Sequence, residues 1–267
     1  MSAAKIDKRT DPAVRHLRRV RDGDDAERIF CEGFRLVEEL LKSGWPPVEA
    51  FVTPQTAAKA EQLFARLGPT SPPVRVMSED VMNFVSGVDS APGLIVIARK
   101  RYAAGGSKGM PLVLVLHGLQ LPQNVGAVLR SAEAAGVSEV WTSKSTADPF
   151  NPKAIRGSSG SVFRLPVRPH GNLPDIVKDL KARGIFVVAA NQGGAVSYER
   201  IDWAAPTALV VGSEGAGFTG TDASLFDQTI RIPMAGSVES LNVANAASIC
   251  LFEAARQRRA ILEKGRS

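Results

Sequence analysis

The chain has 267 residues, 44% of them hydrophobic and 22% charged, a balance that describes a soluble globular protein rather than a disordered one, and its length suffices for a sizeable core and two domains. Its formal charge is +6 and its pI about 9.5, which favours a polyanionic partner met through phosphate contacts. Cys31 and Cys250 lie far apart without metal-ligand spacing, which speaks against a disulfide framework or a zinc site and fits a reducing compartment.

The N-terminus is charged and lacks the apolar core of a signal peptide, and no apolar run reaches membrane-spanning length, so a cytoplasmic protein with no membrane partner is expected. Lys5, Lys8, Arg9, Arg15, Arg18, Arg19 and Arg21 make this opening basic. Such a run either follows an RNA backbone, with Arg9 and Arg18 as candidate contacts, or is simply solvated. Ala26 to Lys42 shows helical spacing around Phe34, Leu36, Val37, Leu40 and Leu41, and Val48 to Val52 reads as a short strand. A helix is predicted from Thr56 to Leu67 and a buried strand from Gly93 to Ala98, so this part forms a small α/β unit. Glu32 and Gly33 are either a recognition turn or the entry of a helix. Glycine, serine and basic residues from Arg99 to Met110 read as a flexible linker in preference to an ordered RNA-contacting loop. The expected boundaries are 1–100, a linker at 101–110, and 111–267.

Beyond the linker, Pro111 to Leu116 is an apolar strand, and Leu121 to Gly136, LPQNVGAVLRSAEAAG, reads as a turn and a helix. Gly126 permits a close backbone approach, while Val128, Leu129, Ala132 and Ala135 form a buried face. Ala208 to Gly217, ALVVGSEGAG, is a second buried strand, ending in a glycine-rich turn that has neither the GxGxxG spacing nor the lysine of a phosphate loop. Ile232 to Glu253, IPMAGSVESLNVANAASICLFE, joins a polar turn to an apolar helix, with Ser240 and Asn242 placed where a helix start offers unpaired N–H groups. His16, His117 and His170 are scattered and pair with nothing as metal ligands or bases, so no metal is expected.

Together these segments resemble the SpoU (TrmH-like) branch of the SPOUT RNA methyltransferases. NVGAVLRSAEAAG is similar to the family's first motif, GSEGAG to its second and IPMAGSVESLNVANAASICLFE to its third. ADPFNPKAIRGSSGSVFRLPV, Ala147 to Val167, is similar to what lies between the first two motifs. RIFCEGFRLV, Arg28 to Val37, resembles the start of the ribosomal-protein-like substrate-binding domain that precedes many SpoU catalytic domains.

The resemblance implies transfer of a methyl group from S-adenosylmethionine to a ribose 2′-hydroxyl of structured RNA. Ribosomal RNA, in particular 23S rRNA, is the first choice and tRNA the alternative. It also implies a C-terminal parallel α/β sheet with a deep trefoil knot, a smaller N-terminal α/β domain, and a homodimer. Knots break the usual rules of chain connection, so no periodicity argument reveals one. Gly212, Ile232 and Leu241 match positions that bind the cofactor, and Ala190 in VVAANQGG is a candidate wall of the same cleft. Arg130 matches the family's catalytic arginine. A guanidinium carries no acceptor, so either its basicity is depressed or it stays charged and stabilises the developing alkoxide while holding phosphate; the second costs less. Asn124 and Asn242 would orient arginine, ribose or cofactor, Ser240 would bond ribose or phosphate, and Glu214 would hold the site's geometry. Arg156 would contact RNA phosphate or the partner subunit. Many relatives read D-P-x-N in the first motif where this chain has Leu121-Pro122-Gln123-Asn124, which removes one partner for Arg130. A non-catalytic RNA-binding or ribosome-assembly protein, and an unrelated small-molecule α/β enzyme, are the other readings; the retained motif residues count against the first of these.

Overall fold

The computed structural model describes residues 5–102, 110–213, 218, 223–238 and 240–264. The chain divides into two compact units, Met1–Arg101 with Phe150–Phe163, and Tyr102–Pro149 with Arg164–Ser267.

The first unit opens with α1 (Pro12–Asp22), a helix that the basic run from Lys5 to Arg21 conceals in the sequence. Its start is fixed by Asp11, whose carboxylate accepts from the Ala13 N–H at 2.8 Å, and by Pro12 in the first turn, where a missing N–H costs nothing. Gly23 ends it in the left-handed conformation. Next come β1 (Arg28–Glu32), α2 (Phe34–Lys42), β2 (Pro47–Val52), α3 (Ala57–Ala65), β3 (Val74–Val76), α4 (Glu79–Val85) and β4 (Leu94–Arg99). The helical spacing read from Ala26 onward is overturned as far as Gly33, because residues 28–32 are a strand paired antiparallel with β4. An apolar run as short as Ile29-Phe30-Cys31 carries no decisive period, and Gly33 at φ 93° cannot sit inside a helix. The sheet order is β1-β4-β2-β3. Phe30, Phe51, Ile95 and Ile97 pack on Val14 and Leu17 of α1 and on Val81, Met82 and Val85 of α4.

The second unit holds β5 (Leu112–Leu116), α5 (Pro122–Ala134) and β6 (Glu139–Ser143). Then α6 (Pro152–Gly157) belongs to the first unit. The second unit resumes with β7 (Val167–Gly171), α7 (Leu173–Ala182), β8 (Phe186–Ala190), β9 (Val196–Ser197), β10 (Thr207–Val211), β11 (Gln228–Arg231) and α8 (Val243–Lys264). Its seven strands run β7-β6-β5-β10-β8-β11-β9, with every neighbouring pair parallel, as the SpoU resemblance requires. All residues of β5 and β10 are buried, which is why both read as unbroken apolar runs. β11 lies between β8 and β9, both of which precede it in the chain.

The segment 150–163 is held in the first unit by aromatic and ionic contacts. Trp45 lies 5.5 Å from Phe150 and 5.3 Å from Phe163, ring to ring, and its Nε1 donates to the Phe163 carbonyl at 2.9 Å.

Candidate active site

The first and third motifs meet where α5 packs on α8. Val125, Val128, Leu129 and Ala132 form the buried stripe of α5, and Val243, Ala244, Ala247 and Leu251 lie buried on α8. Two polar bridges cross this apolar contact. Asn242 Nδ2 donates to Asn124 Oδ1 at 3.3 Å, and one and a half turns further along α8 the hydroxyls of Ser248 and Ser131 are bonded at 2.7 Å. Asn242 also caps α8, its Oδ1 accepting from the Ala244 N–H at 2.9 Å. Its amide therefore satisfies a helix start with oxygen and reaches the first motif with nitrogen.

Three of the four expected cofactor residues, Ala190, Gly212 and Ile232, lie at neighbouring strand ends. Ala190, the last residue of β8, is level with Val211 of β10 on one side and Ile230 of β11 on the other. Gly212 and Ile232 lie one and two residues past those partners. Ala190, Gly212 and Ile232 are half-buried at the carboxyl ends of a parallel sheet, where such sheets receive ligands, and Leu241, also half-buried, lies two residues before α8. Gly194, after β8, lies so near β11 that a Cβ there would stand 2.1 Å from the Ile230 carbonyl carbon; only glycine fits.

Arg130 projects from α5 as an exposed guanidinium and has no ion-pair partner among the described residues. Ser240 is likewise exposed, two residues before the capping asparagine. Glu214 lies outside the described residues. Arg156 is placed differently from a free phosphate ligand: its Nη1 is 3.7 Å from Glu32 Oε2 and its Nη2 donates to the Gly87 carbonyl at 3.2 Å. The Glu32 carboxylate is buried and also accepts from Ser86 Oγ at 2.5 Å and the Gly87 N–H at 3.2 Å. Glu32 thus ties β1 to the turn after α4 and to α6. Arg9 is bound to Asp80 through two N–H bonds, at 3.0 and 2.5 Å, while Arg18 rests over the Phe84 ring at 5.0 Å.

Sequence reasoning missed a polar cluster built around His117. Its N–H donates to the Val211 carbonyl at 2.9 Å, which sets it beside Gly212. Nδ1 is 3.1 Å from Ser143 Oγ, and the ring is parallel to Phe218 with centroids 6.1 Å apart. The Gly118 N–H donates to Ser143 Oγ at 3.2 Å and to Thr146 Oγ1 at 3.0 Å, while Thr146 donates to the Leu116 carbonyl at 2.8 Å. Partial burial holds the imidazole pKa below its ordinary value, which keeps the ring neutral near pH 7. The available signal was position: His117 directly follows the apolar strand, at the ligand-receiving end of the sheet.

The model of the SpoU rRNA Methylase family matches residues 111–252, and that of the MRM3-like substrate binding domain matches residues 13–96. The 23S rRNA (guanosine(2553)-2′-O)-methyltransferase RlmP of Bacillus subtilis is 34% identical over 84% of this chain and 87% of its own length. An uncharacterized tRNA/rRNA methyltransferase of Synechocystis is 30% identical over 96% and 94%. Among solved structures, the SpoU methyltransferase AviRb of Streptomyces viridochromogenes, in complex with AdoMet, superposes with a TM-score of 0.85 at 26% identity, covering 94% of this chain and 99% of that one. With both of its halves matched and its first and third motifs brought together, the chain belongs to the SpoU rRNA methylase family.

Proposed function

We propose that the protein transfers the methyl group of S-adenosylmethionine to a ribose 2′-hydroxyl of 23S ribosomal RNA. The observation that carries this reading is the Asn242–Asn124 bond, which joins the third motif to the first at the start of two helices, on the α5 helix that presents Arg130. AdoMet supplies an electrophilic methyl carbon: the O2′–C bond forms as the C–S bond breaks, and the hydroxyl proton leaves to solvent. Ala190, Gly212, Ile232 and Leu241 hold the adenine side of the cofactor by apolar contact and backbone hydrogen bonds. Arg130 stays charged, holds the phosphate beside the target ribose and stabilises negative charge as it grows on O2′. Asn124 and Asn242 fix the start of the helix that carries Arg130 further along, and most of the rate comes from aligning the oxygen with the methyl carbon. Ser240 bonds the ribose or phosphate, and Glu214 is assigned by its motif to hold the site's geometry.

The same reading includes the family's homodimer and trefoil knot, and a cytoplasmic location where ribosomal RNA is met. Support for the dimer is the exposed apolar surface of Leu121 before α5 and of Phe252 and Leu262 on α8. Support for the knot is β11, inserted between two earlier strands. No helix of the described residues is long and apolar enough to cross a membrane.

The test is methyl transfer from labelled AdoMet to purified 23S rRNA and, separately, to bulk tRNA. Labelled rRNA with unlabelled tRNA is the expected result. Label confined to tRNA transfers the substrate assignment, and AdoMet binding without transfer to either pool supports a non-catalytic RNA-binding protein.

A further inference from the structure

We infer that the outward face of α1 is the surface that follows the RNA phosphate backbone, through Arg15, Arg18 and Arg19 and without Arg9 or Arg21. The inference rests on the RNA reading above and assigns its contact surface. α1 is two-faced: Ala13, Val14, Leu17 and Val20 are buried in the core, whereas Arg15, Arg18 and Arg19 are exposed. Those arginines stand at i, i+3 and i+4, on one arc of the helix and within one turn of each other.

Nearby arginines are spent on carboxylates. Arg9 holds Asp80, Arg21 holds Asp22 and donates to the Val85 carbonyl, and Arg28 holds Asp25. The acidic groups that share the outward arc are likewise engaged, since Asp11 caps the helix and Asp22 is bonded by Arg21. Arg15, Arg18 and Arg19 have no ion-pair partner among the described residues. Arg18 lies over the Phe84 face at 5.0 Å, an arrangement that orients the guanidinium while its in-plane N–H groups remain free to donate. An unpaired, oriented row of cations is suited to a row of phosphates. It is not suited to a bilayer: helices that lie on membranes insert an apolar face, and that face of α1 is buried in the core.

The experiment uses the full chain with Arg15→Gln, Arg18→Gln and Arg19→Gln combined, against a control with Lys59→Gln, Arg66→Gln and Arg99→Gln, which removes equal charge elsewhere in the same unit. Circular dichroism confirms that both variants fold, and binding to 23S rRNA is measured over a range of KCl concentrations. Each lost phosphate contact lowers the slope of log affinity against log salt by about 0.7 to 0.9, so the α1 variant is expected to lose about 2 to 3 from the slope and to bind at least about tenfold more weakly near 0.1 M salt. AdoMet affinity and the turnover rate at saturating RNA are expected to stay at wild-type values in that variant, and the control keeps the wild-type slope. An unchanged slope in the α1 variant, with wild type binding RNA in a salt-dependent way, overturns the inference and leaves the proposed function standing, as does an equal loss in both variants. Wild type that binds no RNA overturns both. Binding to anionic phospholipid vesicles that the α1 variant alone loses, with RNA binding intact, replaces RNA by a membrane surface.

Discussion

Asn242 donates to Asn124 at 3.3 Å while its own carbonyl oxygen caps α8. The two roles use different atoms and are therefore separable by substitution. Asn242→Asp keeps a capping oxygen but places a carboxylate against the Asn124 carbonyl oxygen. The expected outcome is a stability within about 0.5 kcal/mol of wild type, since Asp and Asn cap equally well, with methyl transfer reduced at least tenfold. Asn242→Ala loses the cap as well and is expected to cost about 1 kcal/mol, read from urea midpoints. Equal activity in wild type and Asn242→Asp would remove the Asn124 bond from the mechanism.

Arg130 is exposed and lacks a described partner, so its removal leaves the fold nearly untouched. Arg130→Ala is expected to change stability by less than about 0.5 kcal/mol, to leave AdoMet affinity within about twofold, and to lower the transfer rate by a factor on the order of 10² to 10³. Isothermal titration and single-turnover kinetics separate these quantities. Loss of cofactor binding as severe as the loss of rate would place Arg130 in the structure rather than the chemistry.

Arg156 faces a carboxylate whose side chain is only 2% exposed. Removing the guanidinium leaves the Glu32 charge buried against neutral donors, so Arg156→Ala is expected to destabilise by about 2 to 3 kcal/mol, and Glu32→Gln in the same chain should restore part of that loss. A double-mutant cycle on unfolding free energy checks the coupling. A variant of wild-type stability with weakened RNA binding would instead assign Arg156 to phosphate.

His117 titrates at lower pH in the folded chain than in the unfolded one, because burial disfavours the charged ring. Between those two pKa values the unfolded state binds the extra proton, so folding stability rises with pH there. This contribution is complete above the ordinary histidine pKa of 6.5 and is lost as pH falls below it toward the folded value. Urea midpoints measured from pH 8 down to pH 5 should fall less steeply in His117→Asn than in wild type. Parallel curves would show that His117 does not sense folding.

Phe252 is 46% exposed on α8. Phe252→Glu is expected to leave the unfolding midpoint near wild type, yet to shift sedimentation from dimer to monomer and reduce transfer in step with dissociation. A wild-type chain that sediments as a monomer at micromolar concentration contradicts the proposed dimer.

The catalytic half was legible because its buried parallel strands are uninterrupted apolar runs and its first motif joins a strand end to a helix start, at Leu116 to Asn124. In the N-terminal half, Asp11-Pro12 followed by Ala13, Val14, Leu17 and Val20 was a readable helix signal, masked by the arginines between those apolar residues. Residues 28–32 were misread because an apolar run of that length suits either period until β4 is found beside it. Ion pairs such as Arg156 with Glu32, and the His117–Ser143 contact, join residues far apart in the chain, so only the folded arrangement brings them into view.

The measurement that tests the central claim most directly is a ribose-methylation map of 23S rRNA from cells with the gene intact, deleted, or replaced by its Arg130→Ala form. The account predicts one or a few 2′-O-methylated riboses in the intact strain that are absent from both of the others. Identical maps in all three strains would contradict it.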